Sequence, residues 1–272
     1  MNPIRPRSLA ALALAFAALL GACASAPSGI SPSQAAALVN APDRSPGDRV
    51  NDERRKPVEM LAFIGVRPGM TALDVSAGRG YTTELIARAV GPTGKVYGQR
   101  PPPRENAAAP AQPEGQAAPA PAQASAVPVM PTLAERVRTI TNITAVQRPF
   151  EDPVPPEVAA GALDLVTLMF NYHDFGHMGV DRTRTNAALF KALKRGGIYV
   201  IADHSGRPGT GISESGTLHR IEEAFVKQEV EAAGFRLVEV GNFMRNPADP
   251  RDRNTPVPAM PKDEFVLKFV KP

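Results

Sequence analysis

The stretch 71–98 constrains the fold more than any other part of this chain. Residues 71–75 are short, apolar and strand-like. Ser76, Ala77, Gly78, Arg79 and Gly80 follow as a glycine-containing turn. Residues 81–90 carry apolar side chains at 85, 86, 89 and 90, one face of a helix, and Gly91-Pro92-Thr93-Gly94 stops that helix. Residues 95–98 supply a second strand. Strand, tight turn, helix and strand within about 30 residues form the opening unit of a parallel α/β sheet.

The same rhythm returns downstream. Further strands are expected over 143–147, 163–170, 198–202, 236–240 and 264–270, and helices over 132–139, 183–194 and 218–233. The last two helices are closed by Gly196-Gly197 and by Gly234. Upstream, 45–66 reads as helical, with Pro57 starting a helix or kinking one. The loop 241–262 is polar and proline-rich, of a length usually functional or disordered. Residues 101–131 break the pattern. They hold 9 of the 29 prolines, with alanine and glutamine around them, and are expected to be a disordered surface insert.

The front of the chain reads as an address. Arg5 and Arg7 precede an unbroken apolar run of twelve residues, 9–20. A spanning helix needs about 20, so the run is a signal core rather than an anchor. It ends Leu20-Gly21-Ala22-Cys23. This resembles the lipobox of bacterial lipoproteins, which implies cleavage of a signal peptide over 1–22 and lipidation of Cys23. Position 24 is alanine, not the aspartate that favours the inner membrane in such proteins. The expectation is therefore a lipid anchor on the periplasmic face of the outer membrane. Residues 23–44 read as a flexible tether, and the domain is expected over 45–272.

Cys23 is the only cysteine, so disulfides and paired-cysteine metal sites are excluded. The formal charge is +4. Removing 1–22 takes away two arginines and no acid, leaving a slight basic excess. No Lys/Arg run with interleaved aromatics occurs, so nucleic acid is not an expected partner.

The turn after the first strand carries the chemistry. Glycines between a strand and a helix let backbone approach a ligand and aim helix N–H groups at it. A dinucleotide fingerprint would need a third glycine where Thr83 stands, and a P-loop would need Gly-Lys followed by Ser or Thr, which is absent. Asp74 at the strand end with Gly78 and Gly80 in the turn resembles motif I of the class I S-adenosylmethionine-dependent methyltransferases. Ser76 stands where a further glycine is common there. The resemblance covers roughly 50–270. More narrowly, the strand ends Asn171-Tyr172-His173-Asp174 and Asp203-His204-Ser205 are similar to predicted exported bacterial methyltransferases.

That resemblance implies a Rossmann-like class I methyltransferase fold, with a mostly parallel seven-stranded sheet, helices on both faces and a late antiparallel strand. It implies S-adenosyl-L-methionine as cofactor. Asp74, Ser76, Ala77, Gly78 and Gly80 would organise the turn around its methionine part. Gln99 occupies the position where an acid usually holds the ribose. Phe150, Glu151 and Asp152 lie where adenine is usually held, and Asn171 at the mouth of the fourth strand. The acceptor implied is a small molecule.

His173 has the pKa range of a general base, with Asp174 or Tyr172 to orient it. His173 and His177 are four apart with Asp174 between them, but Gly176 and the strand-end setting argue against a metal, and none is expected. His219 reads as a surface residue of the long helix. Arg54, Arg55, Arg245, Arg251 and Arg253 read first as solvated surface charge, with a preference for an anionic substrate as the alternative. A Gly80→Asp exchange is expected to abolish cofactor binding and leave the fold intact. An exported chain has no evident supply of a cytoplasmic cofactor. The alternative function is therefore a non-catalytic envelope lipoprotein with a binding or scaffold role.

Overall fold

The computed structural model describes residues 29–103, 128–256 and 260–272. The expected signal peptide, Cys23 and most of the expected insert lie outside the described residues.

The chain opens with α1 (Pro32–Val39), α2 (Pro46–Arg49), α3 (Asp52–Arg55) and α4 (Pro57–Ile64). Then come β1 (Thr71–Val75), α5 (Tyr81–Val90), β2 (Lys95–Arg100), α6 (Leu133–Thr139), β3 (Ile143–Gln147) and β4 (Leu163–Met169). The second half holds α7 (Asp174–His177), α8 (Arg182–Ala192), β5 (Leu193–His204), α9 (Ser215–Leu218), α10 (Glu223–Ala232), β6 (Arg236–Gly241) and β7 (Glu264–Val270).

The seven strands form one sheet in the order β3-β2-β1-β4-β5-β7-β6. Strands β1 to β5 pair in parallel, and β7 runs antiparallel to both β5 and β6. Strand order reverses between β1 and β4, so a crevice opens beyond their carboxyl ends, where open α/β sheets take ligands. Alternation along each strand feeds two cores. Ala72, Val96, Leu165 and Val200 face the layer containing α4 and α5. Leu73, Tyr97, Val166 and Tyr199 face the layer containing α8 and α10.

Three expectations need correction. The tether expected over 23–44 is folded from residue 29 onward. Ser31 caps α1 in a reciprocal capping box with Gln34, and Ala35 and Val39 are buried. Arg44, only 3% exposed, pairs with both oxygens of Asp52 at 2.8 Å. Small, polar composition concealed this because the segment supplies one apolar stripe and one buried cation. The helix expected over 45–66 is three helices, broken at Lys56, which adopts a left-handed φ of 43° before Pro57. The helix expected over 218–233 begins only at Glu223, because Arg220 is drawn inside. Its guanidinium is fully buried on Asp249 (2.8 Å) and donates to the Ser205 carbonyl (3.0 Å). Residues 219–222 lie outside the helix as a result, and Ile221 bridges to Ser205.

One arginine binds the front of the domain to the sheet. Arg136 on α6 is 1% exposed. It donates to both oxygens of Asp48 on α2 (2.8 and 2.6 Å), to Glu84 on α5, and to the Arg79 carbonyl in the glycine turn (2.7 Å). Removing one partner of a buried ion pair leaves uncompensated charge, at a cost of about 3–5 kcal/mol. Arg136→Ala is expected to lose that much in denaturant unfolding. Arg136→Lys should recover little of it, because an ammonium cannot reproduce the planar fork. Recovery of most of the stability by lysine would refute the bidentate role.

Candidate functional site

The glycine turn stands over the crevice. Asp74 at the end of β1 is 2% exposed. Its two oxygens accept from Thr83 Oγ1 at the start of α5 (2.6 Å) and Thr167 Oγ1 on β4 (2.8 Å). Burial raises its pKa to about 6 against those hydrogen bonds. Ser76, Gly78 and Gly80 all have left-handed φ, 56°, 56° and 85°. For Ser76 that conformation costs about 1–2 kcal/mol. Its backbone N–H donates to Gln99 Oε1 (2.9 Å) and its hydroxyl to Asn171 Oδ1 (2.5 Å), which hold it there.

The two glycines do different things. A Cβ on Gly78 would meet no atom within 4 Å, so this position faces open space. A Cβ on Gly80 would come within 2.9 Å of Arg136 Cδ and 3.0 Å of Leu133. Gly80 is thus part of the Arg136 clamp, and the expectation that Gly80→Asp spares the fold is corrected. The cleft beside the turn has a volume of about 240 Å³. Asp74, Ser76, Ala77, Gly78 and Asn171 line it, together with Arg55. The Arg55 guanidinium lies 4.4 Å from the Phe170 ring centre and has no hydrogen-bonding or ion-pair partner among the described residues. Desolvation lowers its pKa to about 10, so it stays charged at neutral pH.

His173 sits between two carboxylates. Its Nδ1 lies 2.6 Å from Asp203 Oδ1 and its Nε2 3.0 Å from Asp174 Oδ1. Burial pulls its pKa down, but Asp203 and Asp174 outweigh this and raise it to about 9. Both ring nitrogens are engaged and the ring is protonated at neutral pH, so the expectation of a general base is corrected. Asp174 also accepts from Asn171 Nδ2 (2.7 Å) and lies 3.0 Å from His219 Nδ1. Burial raises its pKa, but His173 and His219 outweigh that and hold it down at about 2.

Other expected site residues are not brought to the cleft. Tyr172 points into the opposite layer, where its hydroxyl donates to Glu229 (2.9 Å) and accepts from Asn186 (2.9 Å), so it does not orient His173. Gln99 is fully buried, and its amide is used by Ser76 N–H and by the Arg148 carbonyl (2.6 Å). Both of its polar atoms are thus already engaged, and the side chain is buried away from the cleft. Phe150 is buried with its ring centre 4.6 Å from that of Phe175, so it offers no open face. Asp152 pairs with Arg148, and neither it nor Glu151 lines the cleft. Of the five arginines read as surface charge or as an anion preference, Arg54 pairs with Glu264, Arg245 with Glu223, Arg251 with Asp263 and Arg253 with Asp252. Arg55 alone of the five lacks a carboxylate.

Sequence reasoning missed two groups. Glu264 opens β7, and burial raises its pKa to about 7 despite Arg54 and Arg55. His204 Nδ1 lies 2.9 Å from Glu264 Oε1, outside hydrogen-bonding geometry. Burial lowers the His204 pKa to about 3, so its ring is neutral. The second group is His219, read from the sequence as a surface or satisfied residue, which the break before α10 brings to Asp174 while its side chain stays 39% exposed. Nothing in the local pattern marks either position.

Gln99→Glu would restore an acid at the end of β2, yet it removes the donor to the Arg148 carbonyl. A loss of about 1–3 kcal/mol is expected on urea unfolding; equal stability would show that the amide is not needed. For His173 the folded pKa lies above the ordinary 6.5. Its stabilisation is therefore complete below about pH 6.5 and is lost as pH rises through about 9. Unfolding free energy in metal-free buffer should fall across that window, and Asp203→Asn should flatten the fall. A pH-independent wild type would contradict it.

No family model matches the sequence, and no curated protein matches it. Solved structures are similar in fold. A SAM dependent methyltransferase from Aquifex aeolicus is 19% identical and aligns over 89% of this chain and 100% of its own, with a TM-score of 0.53. A chain from the Haloferax volcanii complex of the Trm112 methyltransferase activator with a methyltransferase is 16% identical, over 83% of this chain and 92% of its own, at 0.53. A Bacillus halodurans protein described as a methyltransferase is 14% identical, over 79% and 97%, at 0.50. Together with the strand order and the antiparallel β7, these likenesses show that the chain has the Rossmann-like class I methyltransferase fold.

Proposed function

We propose that this chain is an S-adenosylmethionine-dependent methyltransferase acting on a small molecule. The observation that carries the reading is the open turn at Gly78, held left-handed beside a cleft that contains the unpaired Arg55. These residues fit the methionine end of the cofactor. Gly78 leaves room for it, and Arg55 offers its carboxylate a cation. The ribose end fits less well, since Gln99 is already engaged.

When bound, the cofactor supplies an electrophilic methyl group on a sulfonium. The chain's own work is then alignment and exclusion of water. Asn171 at the mouth of β4 is fixed by Ser76 and Asp174. Phe170, Met169 and Met130 wall the cleft. His173 is already protonated. Glu264, at the start of β7 opposite the end of β5, has its pKa raised to about 7 by burial and is the group with capacity to accept an acceptor's proton.

A non-catalytic envelope role is the second reading, and Gln99 and the buried Phe150 favour it. Export through residues 1–22, with lipidation at Cys23 on the periplasmic face of the outer membrane, belongs to both readings and rests on the sequence 9–23. Labelled palmitate should enter the wild type and not Cys23→Ala.

Calorimetric titration of S-adenosylmethionine is expected to give micromolar binding that S-adenosylhomocysteine competes away. Gly78→Asp should abolish that binding at a stability cost of only about 1–2 kcal/mol. Gly80→Asp should also unfold the protein more readily, because it strikes Arg136. A folded protein that binds no cofactor at millimolar concentration would sink the methyltransferase reading in favour of the second.

A further inference from the structure

The chain has four histidines, and all four meet at one place. The ring centres of His173 and His204 are 5.3 Å apart, those of His173 and His219 5.6 Å, and those of His177 and His219 5.6 Å. They arrive from different segments: His173 after β4, His177 on α7, His204 at the end of β5 and His219 after α9. Sequence spacing suggested only the pair His173 and His177. The fold instead joins His173, Asp174 and His219, each of which offers one ligand atom, all within 4.8 Å of one another. His177 is turned aside, its Nδ1 3.0 Å from Ser215 Oγ.

We propose that His173, Asp174 and His219 bind a divalent transition-metal ion of the zinc class, with Asp203 as a positioning residue. The proposal stands independently of methyl transfer. Two imidazoles and one carboxylate suit zinc and its first-row neighbours; magnesium and calcium prefer all-oxygen sets. Three protein ligands are also the number found in zinc sites that keep a position open for water or a substrate.

The surroundings are built in the manner of a metal site. A ligating histidine usually gives its other ring nitrogen to a carboxylate, which fixes the tautomer and raises ligand basicity. Asp203 is fully buried and stands 2.6 Å from His173 Nδ1, which leaves Nε2 for the ion. Asp203 also accepts from the His173 backbone N–H (2.8 Å), so ring and backbone are held together. The second oxygen of Asp174 is occupied by Asn171 (2.7 Å), which aims Oδ1 at the histidines.

His219 is placed by strain. Its φ of 51° is left-handed, an arrangement that persists only where the surroundings enforce it. The buried ion pair of Arg220 with Asp249 supplies that enforcement one residue away. On the other side, α7 and α9 meet closely. A Cβ on Gly176 would lie 2.6 Å from Ile212, and Ser215 Oγ donates to the His173 carbonyl (2.5 Å).

The test uses the full chain without a histidine tag, stripped with chelator and titrated with zinc chloride by calorimetry. Cobalt chloride serves as a spectroscopic probe. One ion per chain with micromolar or tighter affinity is expected, with visible cobalt bands of four-coordinate intensity. His219→Ala, at a partly exposed position, should fold normally by circular dichroism and lose at least about tenfold in affinity. Asp203→Asn should weaken binding by about 10–100-fold. If Asp203→Asn does not fold, His219→Ala alone decides. Absence of stoichiometric zinc binding at millimolar concentration, or affinity unchanged in folded His219→Ala, would overturn the assignment.

Discussion

The guanidinium of Arg136 is the contact on which the front of this domain depends. It gathers a carboxylate from α2, a carboxylate from α5 and a carbonyl from the glycine turn, and it fills the space that Gly80 leaves vacant. These groups come from both sides of the first strand, and Arg136 itself from beyond the stretch 101–131. A buried cation with so many partners tolerates no partial assembly, because each acceptor left alone is a buried unsatisfied group. The turn therefore takes its shape only when α2 and α6 are docked. Binding geometry and domain stability share one side chain.

From that turn, a continuous polar chain runs across the crevice. Asp74 ties α5 to β4 through two threonine hydroxyls. Ser76 reaches Asn171, Asn171 reaches Asp174, and Asp174 reaches His173 and His219. Asp203 closes the chain from β5. The links gather at the carboxyl ends of β1, β4 and β5 and the segments that follow them, which is where a parallel sheet leaves backbone and side chains free of ladder hydrogen bonds. The proposed cofactor cleft and the proposed metal site are the two ends of this chain. A change at Asn171 would be felt at both.

The strands and the turn were legible because their signals are local. Apolar runs mark β1, β4 and β7, with glycine close to the first two, and the positive φ of Gly78 explains why the turn needs that residue. Roles that depend on which way a side chain faces were not legible. Tyr172 and His173 are neighbours in sequence, yet one enters the far core and the other the crevice. Gln99 reads as a ligand residue because it ends a strand, but a fully buried amide must satisfy its own backbone neighbours first. The helix before α10 failed for a similar reason. Helical periodicity continues through Arg220, and only the buried Asp249, from a distant loop, draws that arginine out of the helix.

The sequence by itself determined the fold class, the position of the glycine turn and the acid that precedes it, because period and punctuation are properties of a few adjacent residues. Tertiary structure alone decided that residues 29–44 belong to the domain, that Gly80 is a packing position while Gly78 is open, and that Arg55 is the arginine left without a carboxylate. It also decided that four scattered histidines converge. Such matters depend on contacts between segments far apart in the chain, and on which polar groups lose their water when those segments meet.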